Sequence, residues 1–338
     1  MVLAWQQWFD GEVRRAPVPL ADGALVLVEH GEASELRRID ADGNIVWQVT
    51  LDGRASGDPV RTQGFVAVPC GGRRVVLLHL ADGTRAGPPL IVPGLVLRGP
   101  VAAMRGQLLG RFAGPTEGIE PFLAIVDLEK PGAAPHLVHD PLGAAIETRF
   151  RATNAAFVLA GEDAAGFAVV TALDARTHAP LWQHRAADCG LTYLWAAGGL
   201  VDVVLTDRVT SFEARSGTRL TTRFEGMILD TARIAGETLL VTLGGHDGPE
   251  TRRLMAFDTM TEDPTGELTG LIRVIGACSD EVLVADLDDR PLVLELPGLV
   301  PVSVRDGDDV VSPRLVAWSR HRAWVVGHDG HSLSALDL

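Results

Sequence analysis

The sequence predicts an all-β protein built from repeated four-stranded sheets, and three observations carry that reading. Short runs rich in Val, Leu and Thr alternate with turns of Asp, Gly, Asn and Pro. Amphipathic segments of helical length are nearly absent. One pattern, an apolar strand that ends in an acid and is followed by a short turn often closed by Gly, recurs from end to end: RRIDADG, LHLADG, AIVDLEKPG, TALDARTH, SFEARSG, MAFDTMTEDPTG, VLELPG and the terminal LSALDL. Anchored on Asp40, Leu80, Asp127, Asp174, Glu213, Asp258, Glu295 and Asp337, these segments are spaced by 40, 47, 47, 39, 45, 37 and 42 residues. Such a period suits a four-stranded meander, and meanders repeated at a fixed interval make a β-propeller.

Residues 1–338 are read as one propeller domain of eight blades, with seven as the alternative count. Residues 1–12 hold an isolated strand, VLAWQQWF. Blades 1 to 7 fill residues 13–307. In the first of them, DADGN invites a metal reading, but an EF-hand loop begun at Asp40 needs Gly at its sixth place and Glu at its twelfth, where Ile45 and Leu51 stand. The turn reading remains: Asp40 or Asp42 accepts amide hydrogen bonds, Gly43 takes a positive φ, and Trp47 packs between blades. The fourth unit divides into RFRAT, AAFVLAG, FAVVTALDA and APLWQHRA, and the fifth into LTYLWAAG, LVDVVLTD, RVTSFEARSG and TRLTTRFEG. The Ala-rich LGAAIETRFRATNAAF leaves room for a helical turn or two. The seventh unit gives IRVIGAC, EVLVADL, RPLVLEL and VPVSVRD. Residues 308–338 form the eighth blade, which stops after its third strand. The spare N-terminal strand supplies the missing one, closing the ring so that no sheet is left incomplete. Trp195, Trp318 and Trp324 are read as core fillers.

The turns ALDARTHAPLW, with Asp174, Thr177 and Trp182, and FEARSGTRLT, with Glu213, Ser216 and Gly217, resemble the repeat of pyrroloquinoline-quinone-like propellers, with WD40-like propellers as neighbours in pattern. In that repeat an Asp, a Thr, a Gly and a later Trp punctuate the last two strands of each blade. Trp47 and Trp182 stand at the expected Trp position, as does Trp5 or Trp8 in the split blade, whereas His178 replaces Gly in the fourth unit. Quinoprotein dehydrogenases of this resemblance hold their cofactor with adjacent cysteines, stacking aromatics and a calcium site. Cys70, Cys189 and Cys278 are far apart, so no cofactor is expected. The eight-bladed lipoproteins of outer-membrane assembly share the resemblance, but no export signal or lipidation cysteine is read near the start.

Composition narrows the function classes. The chain is 46% hydrophobic and 22% charged, and its longest apolar runs are of strand length, so neither a membrane span nor a membrane partner is expected. A formal charge of −14 disfavours nucleic acid, whose binding requires Lys and Arg on phosphates. The three scattered cysteines fit reduced, buried thiols, and a cytoplasmic address is expected. GxSxG, HExxH, CxxC and GxxxxGK[ST] do not occur, so hydrolase-elbow, zincin, thiol-redox and P-loop chemistry have no motif behind them.

Two candidates are left. HDG occurs twice, with His246 and Asp247 in the sixth unit and His328, Asp329 and His331 in the eighth. Such a cluster could ligate a divalent ion. The competing reading is a hairpin turn with Gly at positive φ. The other candidate is a surface. The turns between second and third strands hold thirteen acidic residues against three arginines and four histidines. In a propeller these turns share a face, so an acidic partner-binding face is expected from Glu162, Asp163, Asp207, Asp247, Asp286, Asp288, Asp289 and Asp329. Ordinary loop solubility accounts for part of that charge. The leading function is a non-catalytic interaction scaffold of a bacterial multi-protein system, a monomeric propeller binding another protein with a basic surface through one face or the rim. The alternative is a small-ligand or metal-binding propeller, with an enzymatic site at its central channel.

Overall fold

In this computed structural model the described residues are 2–62, 64–104, 106–115, 121–143, 146–153, 155–186, 189–197, 199–223, 229–235, 237–244, 252–259, 261, 263–277, 281–286, 291–301, 315–319, 322–327 and 329–337. They form an all-β, eight-bladed β-propeller of four-stranded antiparallel sheets. The chain opens with β1 (Val2–Trp8). Blade 1 follows as β2 (Val18–Leu20), β3 (Gly23–His30), β4 (Ala33–Asp40) and β5 (Ile45–Thr50). Blade 2 is β6 (Val60–Thr62), β7 (Phe65–Cys70), β8 (Arg74–His79) and β9 (Leu90–Ile91), and blade 3 is β10 (Val96–Met104), β11 (Gln107–Ala113), β12 (Phe122–Asp127) and β13 (His136–His139). Blade 4 is β14 (Ile146–Ala152), β15 (Ala156–Glu162), β16 (Ala168–Asp174) and β17 (Pro180–Arg185), and blade 5 is β18 (Leu191–Ala197), β19 (Leu200–Leu205), β20 (Val209–Glu213) and β21 (Arg219–Arg223). Blade 6 is β22 (Leu229–Ala235), β23 (Thr238–Leu243), β24 (Arg253–Asp258) and β25 (Pro264–Thr269), and blade 7 is β26 (Leu271–Ala277), β27 (Glu281–Asp286), β28 (Pro291–Glu295) and β29 (Val300–Pro301). Blade 8 takes β30 (Leu315–Ser319), β31 (Arg322–Val326) and β32 (Ser332–Asp337), and β1 completes it.

The ring therefore closes at the place the sequence indicates. β1 lies antiparallel on β32, from Val2 opposite Asp337 to Trp8 opposite Ser332. Seven of the eight anchors are the last residue of a third strand, and Leu80 follows its strand directly. The helical alternative for the Ala-rich stretch is overturned: residues 146–152 and 156–162 are β14 and β15, paired from Phe150–Leu159 to Ala152–Phe157. Ile, Thr and Phe in that stretch suit a sheet packed on both faces, and helix propensity is the weaker influence.

Two compact units are distinguished, Met1–Thr50 with Ile228–Leu338 and Leu51–Met227. In the second unit, apolar clusters fill the spaces between blades 2 and 3, 3 and 4, and 4 and 5. In the first they lie between blades 8 and 1, 6 and 7, and 7 and 8. An inner strand is thus covered on both faces, which is why β3 reads as the continuous run ALVLV with every residue buried. Each such Val or Leu contributes about 1.5–3 kcal/mol. Fourth strands are covered on one side and read as polar alternations. Among the described residues no helix is long and apolar enough to cross a membrane.

Candidate functional site

The turns after the third strands share one local design. In DADGN, Asp40 Oδ1 accepts the amides of Asp42 at 2.9 Å and Asn44 at 2.8 Å, while Gly43 sits at φ 88°. Asp82 accepts Thr84 N and Oγ1, Asp174 accepts the amides of Arg176 and Thr177, and Glu213 accepts that of Ser216 at 2.6 Å. Amide and hydroxyl donors aimed at each carboxylate hold Asp40, Asp82, Asp174 and Glu213 below the usual carboxylate range. Every donor is a group of the turn itself, so this chemistry is structural.

One position of the fourth strand pairs with the residue two before the anchor and holds Trp5, Trp47, His136, Trp182, Thr221 and Gly266 in different blades. In blades 8, 3 and 4 it meets the next blade's turn. Trp5 of blade 8 donates its indole N–H to Ala41 O at 2.8 Å, and a Cβ on Gly43 would lie 2.8 Å from its ring. Trp182 repeats this on blade 5: its N–H reaches Ala214 O at 2.9 Å, its ring stacks on Phe212 at 5.6 Å, and Gly217, at φ 70°, leaves the space it occupies. The split blade thus uses Trp5, and Trp8 is 65% exposed. In blade 3 the same position is His136, whose ring lies 5.6 Å from His178, the residue that replaces Gly in blade 4. His178 keeps the positive φ of that glycine, 60°, and bonds Gln107 Oε1 through Nε2 at 3.2 Å. Of the other tryptophans, Trp324 is a core residue in edge contact with Trp5 at 5.5 Å, and Trp195 is half-buried. The side chain of Trp318 lies outside the described residues.

The residues expected on the acidic face divide by unit. In the second unit, Glu162 and Asp163 stand at the β15–β16 turn and Asp207 at the β19–β20 turn. Glu162 Oε1 accepts Leu191 N at 2.7 Å, tying blade 4 to blade 5. Asp163 Oδ1 accepts the amides of Ala165 and Phe167, and its Oδ2 pairs with Arg185 at 2.7 Å. Those bonds, Phe167 N first, lower its pKa. Asp207 pairs with Arg208 at 3.1 Å. In the first unit Asp329 is exposed at the β31–β32 turn. Its Oδ1 accepts His331 N at 2.9 Å, and Gly330 takes φ 73°. His331 turns its Nδ1 to Gly11 O at 2.9 Å. The second HDG is therefore a hairpin turn in its described part, and no group of three or more His, Cys, Asp or Glu placed to hold a metal occurs among the described residues. His246, Asp247, Asp288, Asp289 and His328 lie outside those residues, as does the side chain of Asp286.

Sequence reasoning missed two features. Blade 1 carries an ionic network in which Arg37 meets Glu35 at 2.5 Å and Asp10 at 3.1 Å, while Arg14 and Arg15 approach the buried Glu29 at 3.8 and 3.9 Å. In addition, the eight exposed large apolar residues among those described, Leu3 and Trp8 among them, all lie on fourth strands, the outer edges of their sheets. Alternation in the fourth strands carried that second signal. Cys70 and Cys189 are buried, and desolvation pushes the Cys70 thiol up to about 12.

The fold is that of an eight-bladed β-propeller, and its turns resemble the pyrroloquinoline-quinone-like repeat. The family model described as outer membrane protein assembly factor BamB matches residues 2–87. Among solved structures, BamB from Moraxella catarrhalis is similar at 15% identity and TM-score 0.67, over 100% of this chain and 97% of that one. The computationally designed Ika8 protein is similar at 11% identity and TM-score 0.71, over 98% of each chain. Quinohemoprotein alcohol dehydrogenase from Comamonas testosteroni is similar at 11% identity and TM-score 0.63, over 98% of this chain and 76% of that one. At these identities the likeness is one of fold. No curated protein matches the sequence.

Proposed function

We propose that this propeller is a non-catalytic interaction scaffold that binds a partner with a basic surface through the turns between its second and third strands. The observation that carries the reading is the fixing of charge in those turns. Asp329 accepts the amide of His331 in its own turn, so its carboxylate is oriented before any partner arrives, and Asp163, held likewise by the amides of Ala165 and Phe167, is already paired with Arg185. Pre-set charges on a chain of net −14 favour fast, specific docking of a cationic surface. The matching family's description, an assembly factor, supports work within a multi-protein system. We assign the chain to the cytoplasm as a monomer within its complex, in keeping with its buried thiols.

The test is partner capture by the tagged chain from lysate of its own source, at about 0.1 M and about 1 M salt, where screening lengths are roughly 10 and 3 Å. Capture should fail at high salt, and it should also fail at low salt for a triple reversal of Glu32, Asp288 and Asp289 to Lys. Glu32 is exposed and makes no bond among the described residues, so its reversal does not threaten the turn. Capture indifferent to both salt and reversal would sink the proposal. Cell fractionation of the native protein tests the address.

A further inference from the structure

Between blades 4 and 5 lies a half-open cavity of about 240 Å³ that the acidic turns do not explain. Its buried apolar wall is Val203, Leu205 and Phe212. The ring of His184 lies against Phe212, centroids 4.6 Å apart. Partial desolvation first and Arg219 second hold His184 below its ordinary range, so a neutral ring lines the space at neutral pH. The volume lies below the usual range for drug-sized ligands and suits a body about the size of one large side chain.

The polar groups of the lining single out a charge. Arg185 is neutralised by Asp163 at 2.7 Å and Arg208 by Asp207 at 3.1 Å. Arg219 also lines the cavity, and it has no carboxylate partner among the described residues. Thr210 lines the cavity beside it, and its hydroxyl makes no hydrogen bond among the described residues, so it is free to donate to a bound group. One uncompensated cation on a chain of net −14 matches one negative charge.

We propose that this cavity binds a small monocarboxylate with an aromatic or branched apolar body, its acid group held by Arg219 and Thr210 Oγ1 and its body against Phe212, Leu205 and Val203. The ligand is either a free acid or the C-terminal residue of a peptide, because both present the same chemistry. The test is calorimetric titration of the full chain with 3-phenylpropionate and 4-methylpentanoate, with 3-phenylpropanol as the uncharged counterpart, and with Gly-Gly-Phe bearing a free or an amidated C-terminus. At least one carboxylate should bind, and its alcohol or amide should bind about tenfold more weakly or worse. Arg219→Ala, on an exposed outer strand, should lose a similar factor with the melting curve unchanged, and Thr210→Val several-fold. Binding of the free acids alone assigns the site to a metabolite-sized acid; binding of the peptide acid but not its amide assigns it to a protein terminus. If no carboxylate binds, if acid and alcohol bind equally, or if Arg219→Ala changes nothing, the proposal is overturned.

Discussion

The absence of a side chain at Gly43 and Gly217 is what admits Trp5 and Trp182, so glycine and tryptophan are two halves of one contact between neighbouring blades. Blades 3 and 4 make the same contact with different halves. His136 replaces the tryptophan and His178 the glycine, and the smaller ring above leaves room for the larger residue below. His178 accepts a positive φ, which costs a residue with a Cβ about 1–2 kcal/mol. Packing on His136 and Phe157 and the bond to Gln107 offset that cost. His136→Trp alone should overpack the contact and destabilise by about 1–3 kcal/mol. His178→Gly alone should lose packing but relieve strain. The double variant rebuilds the arrangement of Trp182 on Gly217, so urea denaturation of all four proteins should show a favourable coupling of about 1 kcal/mol or more. Additive effects would mean that the two positions do not read each other.

β1 is the element on which ring closure depends. It pairs with β32 over its whole length, and Trp5 together with the following Phe9 joins the cluster around Trp324 and Leu333. Deleting residues 1–9 exposes the β32 edge and opens that cluster, and an unpaired sheet edge is a template for pairing with another chain. The truncated protein should self-associate on light scattering and unfold without a sharp transition, and a synthetic peptide of residues 1–12 should restore the monomer. A monomeric truncation with the parent melting temperature would refute this role. Closure was legible in the sequence because a unit missing its fourth strand at one end and a spare strand at the other are both countable. The strands were legible because burial on two faces leaves runs such as ALVLV. Pairings between distant residues were not. Nothing in a local pattern says that Arg185 neutralises Asp163, 22 residues away, or that Arg37 reaches Asp10, 27 away. For the same reason the acidic turns read as a uniformly charged face, although Glu162 in fact serves Leu191 N and Asp207 is paired with Arg208. The bulge by which five fourth strands set their docking residue was equally invisible, because it shifts register without any marker residue.

Across the whole molecule the repeated turn acids make stability depend on pH in a direction that can be worked out. Asp40, Asp82, Asp163, Asp174 and Glu213 all titrate lower in the folded chain than as free side chains. Unfolded, they take up protons near pH 4. The unfolded chain therefore binds more protons than the folded one in this range, and stability falls as pH falls. The contribution is fully present above about pH 4–5 and is lost as pH drops through the lowered folded values. His178, held low by burial and by His136, adds an earlier and separate loss beginning near pH 6.5, where the unfolded imidazole starts to protonate. Relief of self-repulsion works against that earlier loss, because the net charge of −14 shrinks toward zero at the isoelectric point near 5.1. Melting temperature should thus change little between pH 7 and about 5 and drop steeply below about 4. Replacing Asp40, Asp82 and Asp174 together by Asn supplies the decisive comparison. The amide oxygen of Asn still accepts from Asp42, Thr84 and Thr177 but carries no charge and does not titrate. The triple variant should melt lower at pH 7 and show a shallower acid limb, so that the two profiles converge near pH 3. Parallel limbs would show that acid acts on other groups, and that the turn carboxylates hold their loops by hydrogen-bond geometry alone.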